Sequence, residues 1–136
     1  MNRNTLGSNE RLKSEKSITA LFEAGKILSV FPIRLIYKPH PTSEKFPVKV
    51  GFAVPKKNFK HAVDRNLLKR RMREAYRLNK TILFGEDQNA FPGIDIMLIY
   101  QGNKPEEFVK ISECIKELLK KLSIRIPAAK DHANRQ

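Results

Sequence analysis

Cysteine occurs once, at Cys114, and tryptophan not at all. A single thiol cannot close an internal disulfide, and it cannot build the thiolate cluster of a structural zinc site. A reducing, cytoplasmic location is the expectation. Long apolar runs are missing too. The longest, Ile96 to Tyr100, has five residues, whereas a helix needs roughly 20 to cross a bilayer core. The N-terminus has no charged start followed by an apolar stretch and a small-residue cleavage site, so secretion by that route is not expected. Acidic residues are scarce: 14 Asp plus Glu stand against 27 Lys plus Arg, a formal charge of +13 over 136 residues. About 40% of the chain is nonetheless apolar, enough for a real core, which excludes a fully disordered or collagen-like chain. The expected organisation is a flexible arm over 1–11, one domain over 12–124 and a basic tail over 125–136.

The charge is not spread evenly. Residues 56–80 carry Lys56, Lys57, Lys60, Arg65, Lys69, Arg70, Arg71, Arg73, Arg77 and Lys80 against only Asp64 and Glu74, which is +8 in 25 residues. Such a cluster costs self-repulsion, so it points to an anionic partner rather than to a surface kept merely soluble. The plain alternative is a solvated helix face.

Hydropathy patterning gives the order of elements. Ser14 or Ser17 can cap a short helix running to Ala24, with Ile18, Leu21 and Phe22 on one face and Gly25 as its stop. Phe31, Ile33, Leu35 and Tyr37 alternate on one face of a strand over 30–38. Pro39, Pro41 and Pro47 mark a loop, and Val48, Val50, Phe52 and Val54 alternate on a second strand. These two strands are expected to pair as an antiparallel hairpin. Helical periodicity runs from about His61 to about Asn79. A loop over 85–93 precedes a nearly continuous apolar strand, Ile94 to Tyr100, covered on both faces. Pro105 suits the first turn of a last helix with an apolar stripe of Phe108, Ile111, Ile115, Leu118 and Leu122, and Cys114 lies beside that stripe as a small core residue. The result is an α/β (α+β) two-layer sandwich, a small central sheet with helices in the order α-β-β-(β)-α-β-α.

On the middle helix, a 100° advance per residue puts Arg65, Lys69, Lys80, Arg73, Asn66, Arg77 and Arg70 in one arc, and Val63, Leu67, Leu68, Met72 and Leu78 on the other side, taken as the core face. The helix spans about 30 Å, room for several successive phosphates. Four arginines and two lysines make up the charge of that arc, and a guanidinium fork can bond two phosphate oxygens at once. Such a face positions a sugar-phosphate backbone and reads little sequence. Neutralising roughly six phosphates gives a slope of log K against log[salt] near −4 to −5. Phe22 and Tyr37 can stack on unpaired bases, or sit in the core.

Catalytic chemistry finds little support. His40, His61 and His132 lack metal-ligand spacing, with His61 better placed as a helix start. No G-x-x-x-x-G-K-[ST] loop is present, and no His–carboxylate arrangement points to an activated nucleophile. The polypeptide is expected to carry no catalytic residue and to bind no cofactor by itself. Besides a structural RNA binder of ribosomal type, the charge also suits a DNA-binding helix or a membrane-surface helix, but the stripe is almost all phosphate-type and the apolar face is needed for a core.

The stretch from Val54 to Arg77, VPKKNFKHAVDRNLLKRRMREAYR, resembles the signature of the bacterial ribonuclease P protein component. That pattern is a strand ending in Lys-Lys, then Ala-Val, then Arg-Asn-Arg-x-Lys-Arg-x-x-Arg-Glu on a helix. Lys56, Lys57, Ala62, Val63, Arg65, Asn66, Lys69, Arg70, Arg73 and Glu74 match it. Arg11-Leu12-Lys13 before a helix with Phe22 and Gly25 fits as well, and the resemblance covers roughly residues 10–122. One position departs: the third residue of the Arg-Asn-Arg triplet is Leu67. Arg71 stands one turn later, and the charge is read as moved by that turn. Ile18 stands where an aromatic is common. The resemblance implies a left-handed β-α-β crossover, against the usual hand. It implies a protein subunit that helps a catalytic RNA remove the 5′ leader from precursor tRNA, with Mg2+ held through the RNA. It implies RNA contacts from Lys56, Lys57, Lys60, Arg65, Asn66, Lys69, Arg70, Arg71, Arg73 and Arg77. The single-stranded leader would then lie in a cleft between the first helix and the sheet, drawing on Ile18, Phe22, Leu35, Tyr37 and Lys56.

Overall fold

A computed structural model of the chain describes residues 11, 12, 14–39, 48–84 and 93–126. Most of the N-terminal arm, most of the proline loop after Pro39, the loop over 85–92 and the tail beyond residue 126 lie outside the described residues.

Four helices and four strands follow one another as α1 (Glu15–Ala24), β1 (Lys26–Val30), β2 (Ile33–Pro39), β3 (Val48–Ala53), α2 (Ala62–Asn79), α3 (Thr81–Phe84), β4 (Ile94–Tyr100) and α4 (Phe108–Arg125). The strands form one sheet in the order β1-β2-β4-β3. β1 and β2 pair antiparallel around a turn at Phe31 and Pro32, and β2 pairs antiparallel with β4. β3 pairs parallel with β4, so α2 and α3 form a β-α-β crossover between adjacent parallel strands.

The sandwich expected from the sequence is therefore present, with three local corrections. The strand expected over 30–38 is the second arm of a hairpin, and its first arm, β1, falls mostly in the stretch between Gly25 and residue 30 to which the hydropathy pattern assigns no element. β2 and β3 are not a hairpin either: β4 lies between them, because its apolar side chains on both faces fill the sheet centre. The last helix begins at Phe108 with Glu107 as N-cap, so Pro105 precedes its first turn.

Alternation along the strands builds two cores. Ile33, Leu35 and Tyr37 of β2, Val48 and Val50 of β3, and Ile94, Ile96, Leu98 and Tyr100 of β4 face α2 and α4. There they meet Leu68, Met72, Ala75 and Tyr76 of α2, and Ile111, Ile115, Leu118 and Leu122 of α4. Cys114 is buried in the same core and its thiol approaches Phe31 O at 3.5 Å. Burial pushes that thiol up from its ordinary value, which keeps it neutral and unreactive. The opposite sheet face carries Ile36 and Met97, covered by Leu12 and Leu21 with Ile18, Ala53 and Ile99 at the margin.

α1 crosses that second face. Its approach is fixed at the β3 edge, where Leu12 N donates to Val50 O at 2.9 Å and Arg11 bridges Val50. Ser14 then caps the helix by accepting from Ser17 N at 3.3 Å. At its other end, Gly25 lies so close to the sheet that a Cβ would stand 2.4 Å from Leu21 O and 2.6 Å from Ile36 Cγ2. Glycine is needed there for close approach, not for a left-handed turn, since φ is −74°. Arg11 and Leu12 thus belong to the folded body. At the other terminus α4 includes Arg125 and Ile126 is buried, so the body runs two residues past the expected boundary.

Candidate nucleic-acid interface

α2 buries the arc of Leu68, Met72, Ala75 and Tyr76. This i, i+4, i+7, i+8 set fixes which side faces outward. Asn66 and Arg70 are exposed on the outside, with Lys69, Arg73 and Arg77 partly exposed beside them. Lys56, Lys57 and Lys60, in the loop between β3 and α2, are exposed as well. The structure therefore groups Asn66, Lys69, Arg70 and Arg73 together and keeps Lys56, Lys57 and Lys60 at the surface, with three departures in detail from the sequence reading of this helix.

First, Lys80 is only 2% exposed, so it leaves the stripe. Second, Val63 and Leu78, assigned to the core face from their apolar character, are 77% and 45% exposed, and Leu67 is half-buried. The true buried arc is centred farther round the helix than the apolar residues alone suggested. Third, Arg71 does not stand on the outer face. Its Nη1 donates to Glu106 O in the β4–α4 connection, so the reading of Arg71 as the motif charge moved by one turn gives way to a structural role. That connection is held further by Tyr100, whose hydroxyl donates to Lys104 O and accepts from Glu106 N at 3.0 Å. Burial raises the Tyr100 phenol, which keeps it a donor. Replacing Arg71 with alanine should cost about 1.5 kcal/mol, the low end for a hydrogen bond from a charged group because the side chain is half exposed. Thermal unfolding would register that loss. Salt-dependent binding should keep the slope of the parent, and a slope reduced by about 0.9 would return Arg71 to the phosphate contacts.

Several of the remaining cations are oriented by the protein itself. Arg65 Nη1 donates to Phe59 O at 2.8 Å and Lys60 O at 2.9 Å, which shapes the loop that presents Lys56, Lys57 and Lys60. Phe59 is pinned beneath by an edge contact with Tyr100, ring centroids 5.8 Å apart. Arg73 lies over the Phe52 ring at 5.6 Å, and Phe52 makes an edge contact with Tyr76 at 6.2 Å. A guanidinium held over an aromatic face loses less freedom when a phosphate arrives. Arg77 pairs with Glu74, whose hydrogen bond holds the Glu74 carboxyl below the usual carboxylate range. The pair is exposed, so it orients more than it stabilises.

The second expected feature, a cleft between α1 and the sheet, needs a one-residue correction. Leu35 and Tyr37 are 0% and 3% exposed and point into the α2–α4 core. Side chains alternate across a strand, so the α1 side of β2 carries Arg34, Ile36 and Lys38 instead. α1 covers Ile36 and Met97, and leaves beside it the cross-strand row Ser29, Arg34, Ile99 and Ala53. On α1, half-buried Ile18 packs at the margin of the same cluster and Phe22 is 53% exposed, and the chain from Ala53 leads through Pro55 to exposed Lys56. Gln101, with its amide oxygen turned to the guanidinium, accepts from Arg34 Nη2 at 2.9 Å and Nε at 3.1 Å. The sequence held no sign of Arg34 and Gln101, because their pairing depends on the β2–β4 register.

Among the described residues, no three His, Cys, Asp or Glu side chains converge as a metal site, and no helix is long and apolar enough to cross a membrane. Fold and surface together define a class: a small α+β domain with a cationic helix along one side. The family model for ribonuclease P matches residues 6–123, and the chain belongs to the ribonuclease P protein family, part of an enzyme of tRNA processing. The ribonuclease P protein component of Chlorobium phaeobacteroides is 39% identical over 109 residues, covering 74% of this chain and 75% of the relative. That of Porphyromonas gingivalis is 29% identical over 126 residues, covering 91% and 90%. The solved ribonuclease P protein from Thermotoga maritima matches with a TM-score of 0.66 at 26% identity, over 82% of this chain and 96% of that one. The protein from Staphylococcus aureus matches the fold with a TM-score of 0.60 at 21% identity, over 83% and 94%.

Proposed function

We propose that this chain is the RNA-binding protein subunit of ribonuclease P, assisting a catalytic RNA in removing the 5′ leader from precursor tRNA in the cytoplasm. The observation that carries the reading is the outer side of α2, where Asn66, Lys69, Arg70 and Arg73 stand together on a helix whose other side is locked in the core. Lys56, Lys57 and Lys60 extend the charge through the loop ordered by Arg65. This surface docks on the RNA subunit through its phosphates. The single-stranded leader lies along α1, against Ile18, Phe22, Arg34, Ile99 and Ala53, and leaves past Lys56. Arg34 and Ile99 take the place given to Leu35 and Tyr37 from the sequence.

In this reading the protein holds no cofactor, and Mg2+ belongs to the RNA. The protein's part is positioning and charge screening, which let two polyanions approach. Reconstitution with a ribonuclease P RNA and a precursor tRNA checks this. Leader removal should rise sharply on adding the protein at low Mg2+, and the gain should shrink as Mg2+ rises, since both relieve phosphate repulsion. Equal stimulation across the titration, or site-specific cleavage by the polypeptide without RNA, would sink the proposal.

A further inference from the structure

The outer side of α2 is not uniformly cationic. Val63 is 77% exposed and Leu67 half-exposed, and they are i, i+4 neighbours on one strip. With Asn66, Lys69, Arg70 and Arg73 they line a single open groove. A side chain as apolar as valine gains nothing from facing water beside a cationic surface, and Val63 shares its lining with Lys69, Arg70 and Arg73. Phosphate contacts alone would be served better by a charge at position 67, where Leu67 stands in place of the motif arginine.

We propose that this groove seats an unpaired nucleotide of the RNA subunit, with the face of the base on Val63 and Leu67 and the flanking phosphates on Lys69, Arg70 and Arg73. The inference rests on the RNA-docking role proposed above. Charge complementarity selects the occupant: three cations call for a polyanion, and the adjoining apolar pair, Val63 and Leu67, calls for the one part of a nucleic acid that is flat and poorly hydrated. Asn66, which also lines the groove, has an amide that can donate to and accept from a base edge. A base in a duplex is stacked between its neighbours and cannot offer its face, so the site selects single-stranded or bulged RNA. Leu67 thus trades an ionic contact for an apolar one and makes docking less salt-dependent at this point.

The test compares the parent with Val63→Ser/Leu67→Ser, using two probes: a ribonuclease P RNA and a fully paired RNA duplex. Both substitutions are at exposed or half-exposed positions, and Val109→Ser, on exposed α4 surface, is the control for a general loss of apolar area. The double variant should bind ribonuclease P RNA about tenfold more weakly, with the slope of log K against log[salt] unchanged, while duplex binding and the Val109→Ser protein stay at parental levels. A variant that binds ribonuclease P RNA as tightly as the parent overturns the groove as an RNA site and leaves an apolar partner of another kind. Equal losses on both probes overturn the base contact. If the parent itself prefers neither probe, the docking role falls as well, which separates that failure from the first.

Discussion

Replacing Lys69, Arg70 and Arg73 together by alanine should weaken binding to ribonuclease P RNA about 100-fold at 0.1–0.2 M salt and flatten the salt dependence. The expected change in slope is about 0.9 per duplex-like phosphate contact, or about 0.7 per single-stranded one, so roughly 2 to 3 for the three. These residues are chosen because of what the structure assigns to their neighbours. Arg65 donates to two backbone carbonyls and Arg71 to a third, so their removal would mix folding with binding. Lys69 and Arg70 carry no such duty among the described contacts. Arg73 loses its position over Phe52 when truncated, an exposed cation–π contact worth about 0.5–1 kcal/mol, and thermal unfolding would show that cost separately. Binding isotherms at several salt concentrations decide the matter. An affinity loss with an unchanged slope would mean that these cations shape the protein and do not neutralise phosphates.

Leu35→Ala should destabilise the protein by about 2–5 kcal/mol, the range for emptying a closed core site. Leu35 is fully buried among the side chains that join β2 to α2 and α4. If it lined an open cleft under α1, the cost would be well under that range, because surface substitutions stay within about 0.5 kcal/mol. Chemical denaturation of the parent and the variant makes the comparison directly. The companion change, Arg34→Ala, should leave stability nearly intact and weaken binding of a precursor tRNA with a long leader more than one with a short leader. A small cost for Leu35→Ala would put the strand one residue out of register and return the cleft to its sequence-derived lining.

Those two substitutions mark where legibility ended. The alternation over 33–37 was plain in the sequence, and so was the identity of the residues on each face of β2. Which face α1 would cover was not, because period two is indifferent to direction. A single residue of parity moved Leu35 and Tyr37 from the proposed cleft to the core. On α2 the uncertainty was angular. Leu68, Met72, Val63, Leu67 and Leu78 are all apolar, and only the packing of Tyr76 and Ala75 against the sheet and α4 showed which of them could be spared. The β1 strand was hidden for a related reason. Its burial alternates imperfectly, with Lys26 and Ile27 both exposed, and it is held as an edge by its register with β2.

The sequence by itself determined that one small α+β domain would form, that its charge would gather on the segment over 56–80, and that most of this segment, from about His61 to about Asn79, would be a helix resembling the ribonuclease P protein signature. Those properties are local: they follow from composition, from periodicity and from the spacing of Arg65, Asn66, Lys69, Arg70 and Arg73. Tertiary structure alone decided that β4 sits between β2 and β3, that Arg71 serves a carbonyl of the β4–α4 connection, that Arg34 meets Gln101, and that Val63 and Leu67 stay outside. Each of these depends on which distant segment arrives at a given face. That choice is made by the packing of whole elements, and no single stretch of residues carries it.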